Sequence, residues 1–109
     1  REGQSVTRKN KYGNTPTTVD GIRFASLREA RRYGELKVME RCGLISGLEL
    51  QPPFDLAVNG VHVCRYVADF AYVEKGERVV EDAKGMPTPE YRLKRKLLLA
   101  VHGIAVREV

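Results

Sequence analysis

Two aspartates and a lysine are the residues of this chain best suited to do chemistry. Asp69 sits in the run Tyr66-Val67-Ala68-Asp69-Phe70-Ala71-Tyr72-Val73, and Asp82-Ala83-Lys84 closes the next run, Arg78-Val79-Val80-Glu81-Asp82-Ala83-Lys84. Carboxylate oxygens are hard ligands suited to Mg²⁺ or Mn²⁺, and two of them with waters and a substrate phosphate make a typical magnesium site. Such an ion polarises a phosphoryl oxygen and lowers the pKa of bound water, and a neighbouring ammonium can orient that water or offset charge on the phosphate. On spacing alone, a metal site and an exposed hairpin carrying ordinary ion pairs are equally compatible with these residues. The apolar neighbours of Asp69 weigh somewhat against a plain surface acid.

The elements that would position these groups follow from patterning. Glu74-Lys75-Gly76-Glu77 separates the two runs as a turn, so the runs should pair as a hairpin. Strand side chains alternate faces, which would put Asp82 and Lys84 on the same side and Glu81 on the other. Ser26 to Cys42 is predicted as a helix, with Ser26 and Glu29 in a capping-box arrangement and Gly43 as its stop. Leu27, Ala30, Gly34 and Val38, widened by Tyr33 and Leu36, form its apolar stripe. From Ile45 to Tyr72 the chain reads as extended, interrupted at Gln51-Pro52-Pro53, with a hairpin turn at Asn59-Gly60. Val79–Lys84 is a further strand. Thr88-Pro89-Glu90 starts a second helix, whose apolar side is predicted to be Leu93, Leu97, Ala100 and Val101. Ile104–Val109 reads as a last strand. The order helix, strand, strand, strand, helix, strand predicts an α/β fold, with a mixed central sheet flanked by helices.

Bulk properties frame the partner. The 109 residues suit one domain, here 19–109, preceded by a polar, turn-rich basic arm over 1–18. Nineteen Lys and Arg against fourteen Asp and Glu give a net charge of +5, which suits a polyanion better than a neutral small molecule. Two cysteines, Cys42 and Cys64, make no secreted-type disulfide framework, and no apolar run approaches the roughly 18–20 residues of a membrane span. A reducing intracellular setting and no membrane contact are expected. His62-Val63-Cys64 lacks further ligands and reads as ordinary strand, while His102 suits a helix C-terminus.

The pattern resembles the PD-(D/E)xK nuclease superfamily, with Asp69 as its first acid and Asp82-Ala83-Lys84 as its D-x-K element; Ala68 replaces the usual preceding proline. More narrowly, Lys11-Tyr12-Gly13-Asn14, Gly21-Ile22-Arg23-Phe24-Ala25-Ser26 and Glu29-Ala30-x-x-Tyr33 resemble a family of small phage-encoded endonucleases. Gln51-Pro52-Pro53-Phe54, Tyr66-x-x-Asp69-Phe70-x-Tyr72 and Glu81-Asp82-x-Lys84-Gly85 continue the match. The resemblance implies a restriction-endonuclease-like core and a Mg²⁺-dependent endonuclease acting on DNA, with Mn²⁺ as a substitute, in the cytoplasm of a bacterial host. It also promotes Glu29 to a metal ligand beside Asp69 and Asp82, in competition with its capping role, and makes Lys84 the residue that positions water. The basic second helix begins close to Lys84, so Arg92, Lys94 and Lys96 are expected on DNA phosphates, with Tyr91 bonding the same backbone. A homodimer suits double-strand or junction cutting. A branched-DNA resolvase, a transposon-end-cleaving subunit and a non-catalytic DNA-binding module are the alternatives.

Overall fold

The computed structural model describes residues 16–84 and 86–109. The motif Lys11–Asn14, Gly85 and most of the expected basic arm lie outside the described residues. Thr17 and Thr18, expected in that arm, instead belong to a strand.

The first hairpin pairs β1 (Thr17–Val19) with β2 (Ile22–Phe24) across Asp20-Gly21. It leads into α1 (Leu27–Arg41), then β3 (Ser46–Leu50), β4 (Pro53–Val58), β5 (Val61–Val67), β6 (Phe70–Glu74) and β7 (Glu77–Asp82). Helix α2 (Pro89–His102) and the short β8 (Arg107–Glu108) complete the chain. The fold is mixed α/β: two helices with three small sheets among the described residues. The largest sheet has the order β3-β6-β7-β8. Its first two pairings are antiparallel and β7–β8 is parallel, so α2 is the crossover that a parallel pair requires. Among the described residues, strands β4 and β5 pair only with each other.

Local chemistry explains most of these boundaries. Asn59 and Lys75 both adopt positive φ ahead of a glycine that does the same, the combination that closes two-residue hairpins with the twist of their strands. Ser26 Oγ accepts the Glu29 N–H at 3.2 Å and Thr88 Oγ1 accepts the Tyr91 N–H at 3.1 Å, so both predicted helix caps form. Pro89 occupies the first turn of α2, where its missing N–H costs nothing, and Gly103 ends the helix in the left-handed region.

Two apolar layers sandwich the sheet. On one face, α1 and the β1–β2 hairpin bury Phe24, Ala30, Tyr33, Leu36, Phe70 and Tyr72. On the other, α2 and the β4–β5 hairpin bury Leu56, Tyr66, Ala71, Val80, Tyr91 and Leu98. Phe70 and Tyr72 of β6 thus face α1 while Ala71 faces α2, the alternation a strand imposes.

Helix α1 buries Ala30, Tyr33 and Leu36 of its expected stripe, while Leu27 and Val38 are exposed. Helix α2 is rotated from its expected face: Leu93 is 59% exposed and Ala100 and Val101 are also exposed, whereas Tyr91 and Leu98 face the core and the expected Leu97 packs beside them partly buried. The larger aromatic and aliphatic pair buries more area, at roughly 25 cal/mol per Å², and so sets the rotation of α2.

Two strand expectations also need correction. The continuous run Val61–Tyr72 breaks at Ala68-Asp69, where the chain leaves the β4–β5 hairpin for the main sheet. Strand β7 ends at Asp82, so Lys84 lies beyond it rather than on a shared strand face.

Candidate metal centre

The break at Asp69 is fastened to its surroundings. Its carbonyl accepts the Gln51 N–H at 2.9 Å, and Ala68 N–H donates to the Pro52 carbonyl at 3.1 Å. The corner between β3 and β4 therefore holds the corner between β5 and β6. Gln51, whose place before two prolines suits a turn or a cleft wall, takes a left-handed φ of 52° there and lines a cleft of about 180 Å³ with Arg23, Glu29 and Asp69.

Asp69 and Asp82 clasp each other through the backbone. The Asp69 N–H donates to Asp82 Oδ1 at 2.9 Å, and the Ala83 N–H donates to Asp69 Oδ2 at 2.8 Å. This second bond explains why β7 stops: the amide after Asp82 goes to a carboxylate instead of a neighbouring strand. One oxygen of each carboxylate is thus committed. Asp82 is fully buried, and its Oδ2 has no hydrogen-bond partner among the described residues. An ionised carboxylate with an unpartnered buried oxygen is costly unless a cation or a proton reaches it.

Glu29 approaches from α1. Its carboxyl lies close enough to Asp69 to feel its charge and is pushed up to about 7, first by burial and then by the Asp69 charge, with the Ala25 amide and Lys84 opposing. Burial also raises Asp69, against the Ala83 amide, Lys84 and Glu29. Asp82 is pushed up to about 6, chiefly by burial, with Lys84 and the Asp69 amide opposing and Glu108 adding to the rise. The Lys84 ammonium is the cation common to all three acids, and its Nζ sits 5.0 Å from the centre of the Tyr91 ring. That contact keeps the charge near the carboxylates.

These raised values have a sign. The folded state holds the protons of Glu29 and Asp82 more tightly than the unfolded chain does. Their contribution therefore favours folding below the ordinary carboxylate range and is lost as pH rises through about 6 and 7. For buried Asp82 this amounts to about 3 kcal/mol at most, and for half-buried Glu29 solvent screening makes it smaller. In EDTA, thermal stability is expected to fall between pH 5 and pH 8, and Asp82→Asn should flatten that fall. Millimolar Mg²⁺ or Mn²⁺ should restore stability at pH 8 but not at pH 5. Melting curves in EDTA that are flat across this range would contradict the electrostatics described.

The expected three-carboxylate set does not assemble as drawn from the sequence. Among the described residues, no group of three His, Cys, Asp or Glu side chains is arranged to hold a metal ion. The reason is geometric. Val80 packs in the α2 layer and Val79 in the α1 layer, so alternation sends Asp82 toward α2 and Glu81 toward α1. Glu29 arrives from the α1 side and meets Asp69 at the end of the sheet, with Asp82 beyond it on the other face. Glu29 is nonetheless not occupied by Ser26: Ser26 caps the helix, and the Glu29 carboxyl is directed to Asp69 and the Ala25 amide.

The residues expected on DNA are divided. Arg92 and Lys96 are exposed on α2, while Lys94 is half-buried and pairs with Glu90 at 3.2 Å. Tyr91 is not on the surface. It is buried, and its hydroxyl donates to Glu108 at 2.8 Å, with Arg95 bonding the same carboxylate. Tyr91 carries Lys84 on its ring and ties α2 to β8, next to Asp82, which is a positioning role. Glu81 is fully buried and makes two hydrogen bonds of 2.8 Å to Arg32, while also accepting the Tyr72 hydroxyl. Sequence patterning had no signal for this ion pair, because its partners are 49 residues apart. Arg23 was likewise missed as a cleft wall, whereas the place of Gln51 before two prolines had offered both the turn and the cleft that it serves.

The chain belongs to a family described as a protein of unknown function (DUF1064), whose profile matches residues 9–105. No curated protein and no solved structure matches it.

Proposed function

We propose that this chain is a divalent-metal-dependent endodeoxyribonuclease of the PD-(D/E)xK superfamily, built on a restriction-endonuclease-like core. The observation that carries this reading is the clasp of Asp69 and Asp82, which leaves a fully buried, unpartnered carboxylate oxygen at Asp82 with Lys84 beside it. Magnesium is commonly held by one or two carboxylates, the remaining positions going to water and substrate phosphate, so Asp69 and Asp82 suffice as protein ligands. The main sheet supports the reading in outline: α1, three antiparallel strands β3, β6 and β7, then α2 and the parallel β8, follow the order expected for that core, with the β4–β5 hairpin as an addition.

When bound, Mg²⁺ or Mn²⁺ supplies polarisation of the scissile phosphoryl oxygen and a more acidic bound water. Asp69 and Asp82 would hold the ion, each carboxylate being fixed by an amide at the other strand's end. Glu29, coupled electrostatically to Asp69, would organise the site from α1. The Lys84 ammonium, steadied on the Tyr91 ring, offsets negative charge on the phosphate and positions the attacking water. Arg92 and Lys96 on α2 supply contacts to the DNA backbone.

Supercoiled plasmid, single-stranded DNA and a four-way junction, each with Mg²⁺, Mn²⁺ or EDTA, test the reading. Nicking of at least one substrate with Mg²⁺ or Mn²⁺, and none in EDTA, is the expected result. Selective cutting of the junction would mark a resolvase. A salt-sensitive DNA complex without nicking under any metal would overturn the catalytic assignment.

A further inference from the structure

A second pocket, of about 250 Å³, opens between β5 and the first turns of α2 and shares Lys84 with the candidate metal centre. Arg65, Lys84 and Lys94 line it against one acid, Glu90. Its wall also includes Tyr66, which is 3% exposed and whose hydroxyl has no hydrogen-bond partner among the described residues. Leaving a buried hydroxyl unpaired is destabilising, so a ligand that brings an acceptor would recover that cost.

We propose that this pocket is a subsite for a non-scissile phosphate of the DNA strand, held by Arg65 and Lys94, with the Tyr66 hydroxyl as a further donor. It rests on the nuclease reading for the identity of the ligand. Three cations facing one carboxylate favour an anion. The pairs that now occupy two of them, Lys94–Glu90 at 3.2 Å and Arg65–Asp55 at 3.7 Å, involve exposed acids. Such pairs are worth little and exchange readily for a phosphate. The volume falls below the roughly 300–1,000 Å³ of pockets that enclose a drug-sized ligand, which suits a phosphate rather than a flipped base. Arg65 reaches a phosphate with a two-pronged fork, and Lys94 adds a point charge. Because Lys84 borders both the pocket and the acids, the strand would run from the Asp69 cleft past Lys84 to β5.

The test compares the parent with Arg65→Ala/Lys94→Ala, Tyr66→Phe and the remote control Arg41→Ala. Binding of a fluorescein-labelled DNA duplex is measured in EDTA across a salt series, and cleavage kinetics are measured with Mg²⁺. The double variant should bind more weakly, and its slope of log K against log salt should shrink by about 0.9, the value for one lost phosphate contact. Its KM should rise with kcat nearly unchanged, and Tyr66→Phe should show the same KM effect without loss of thermal stability. Arg41→Ala should match the parent. An unchanged salt slope in the double variant overturns the subsite, whether or not the parent nicks DNA. A parent that binds with the expected slope differences yet never nicks leaves the subsite standing and removes only the nuclease reading.

Discussion

Asp82→Ala is expected to abolish Mg²⁺-dependent cleavage while leaving DNA binding in EDTA close to that of the parent. Among the described residues of the site, Asp82 alone has a fully buried carboxylate oxygen without a partner, so in the proposed metal centre it would be the ligand that solvent is least able to replace. Metal polarisation of a phosphoryl group supplies several kcal/mol of transition-state stabilisation, and every 1.36 kcal/mol is tenfold in rate. A loss of roughly a thousandfold or more in kcat is therefore expected. The substitution also strips the acceptor from the Asp69 N–H, which by itself costs about 1–3 kcal/mol of stability. Asp82→Asn separates the two effects, because it can keep an acceptor at Oδ1 while losing the charge. It should fold as well as the parent and remain inactive. Nicking by Asp82→Asn at the parental rate, with normal metal dependence, would place the catalytic centre elsewhere.

The largest effect on stability is expected from Arg32→Ala. Arg32 holds both oxygens of Glu81, which has no exposure of its own, and the same carboxylate accepts the Tyr72 hydroxyl. Removing the guanidinium leaves a buried charge, a change that typically costs 3–5 kcal/mol. At about 4–8 °C per kcal/mol for a domain near this size, Tm should fall by roughly 15 °C or more. The double substitution Arg32→Met/Glu81→Leu removes both charges and should recover much of that loss. The pair also has a functional side. Arg32 lies one turn along α1 from Glu29, so its bond to Glu81 sets where α1 rests on the sheet and hence where Glu29 meets Asp69. Thermal denaturation of the two single variants and the double variant forms the needed cycle. A loss under 1 kcal/mol in Arg32→Ala would show that the pair is not what anchors α1.

Features that depend on a few adjacent residues were legible from the chain itself. The turns at Asn59-Gly60 and Lys75-Gly76 need positive φ at both positions, a requirement met locally. Ser26 and Thr88 cap their helices through amides three residues away. The pairing of the two acid-bearing runs into β6 and β7 follows from the turn between them, and the helical crossover from β7 through α2 suits β8 as a parallel partner. Asp69, Asp82 and Lys84 as one neighbourhood therefore came out of sequence reading. Other features depended on which layers cover which face. Helix α2 carries enough apolar residues to offer two stripes, and only contact with the sheet selected Tyr91 and Leu98 over Leu93 and Val101. The end of β7 depended on a competing acceptor, Asp69 Oδ2, arriving from 14 residues away.

By itself the sequence determined that two carboxylates and a lysine gather at the end of a hairpin, because turn geometry and strand pairing act over short stretches. Only the tertiary structure decided how those acids are shared out. Asp82 turns toward α2, Glu29 comes from α1, and Asp69 stands at the break between them. The physical reason is that a strand alternates its side chains between two faces, and which face an acid meets is known only once the layers on both sides are in place.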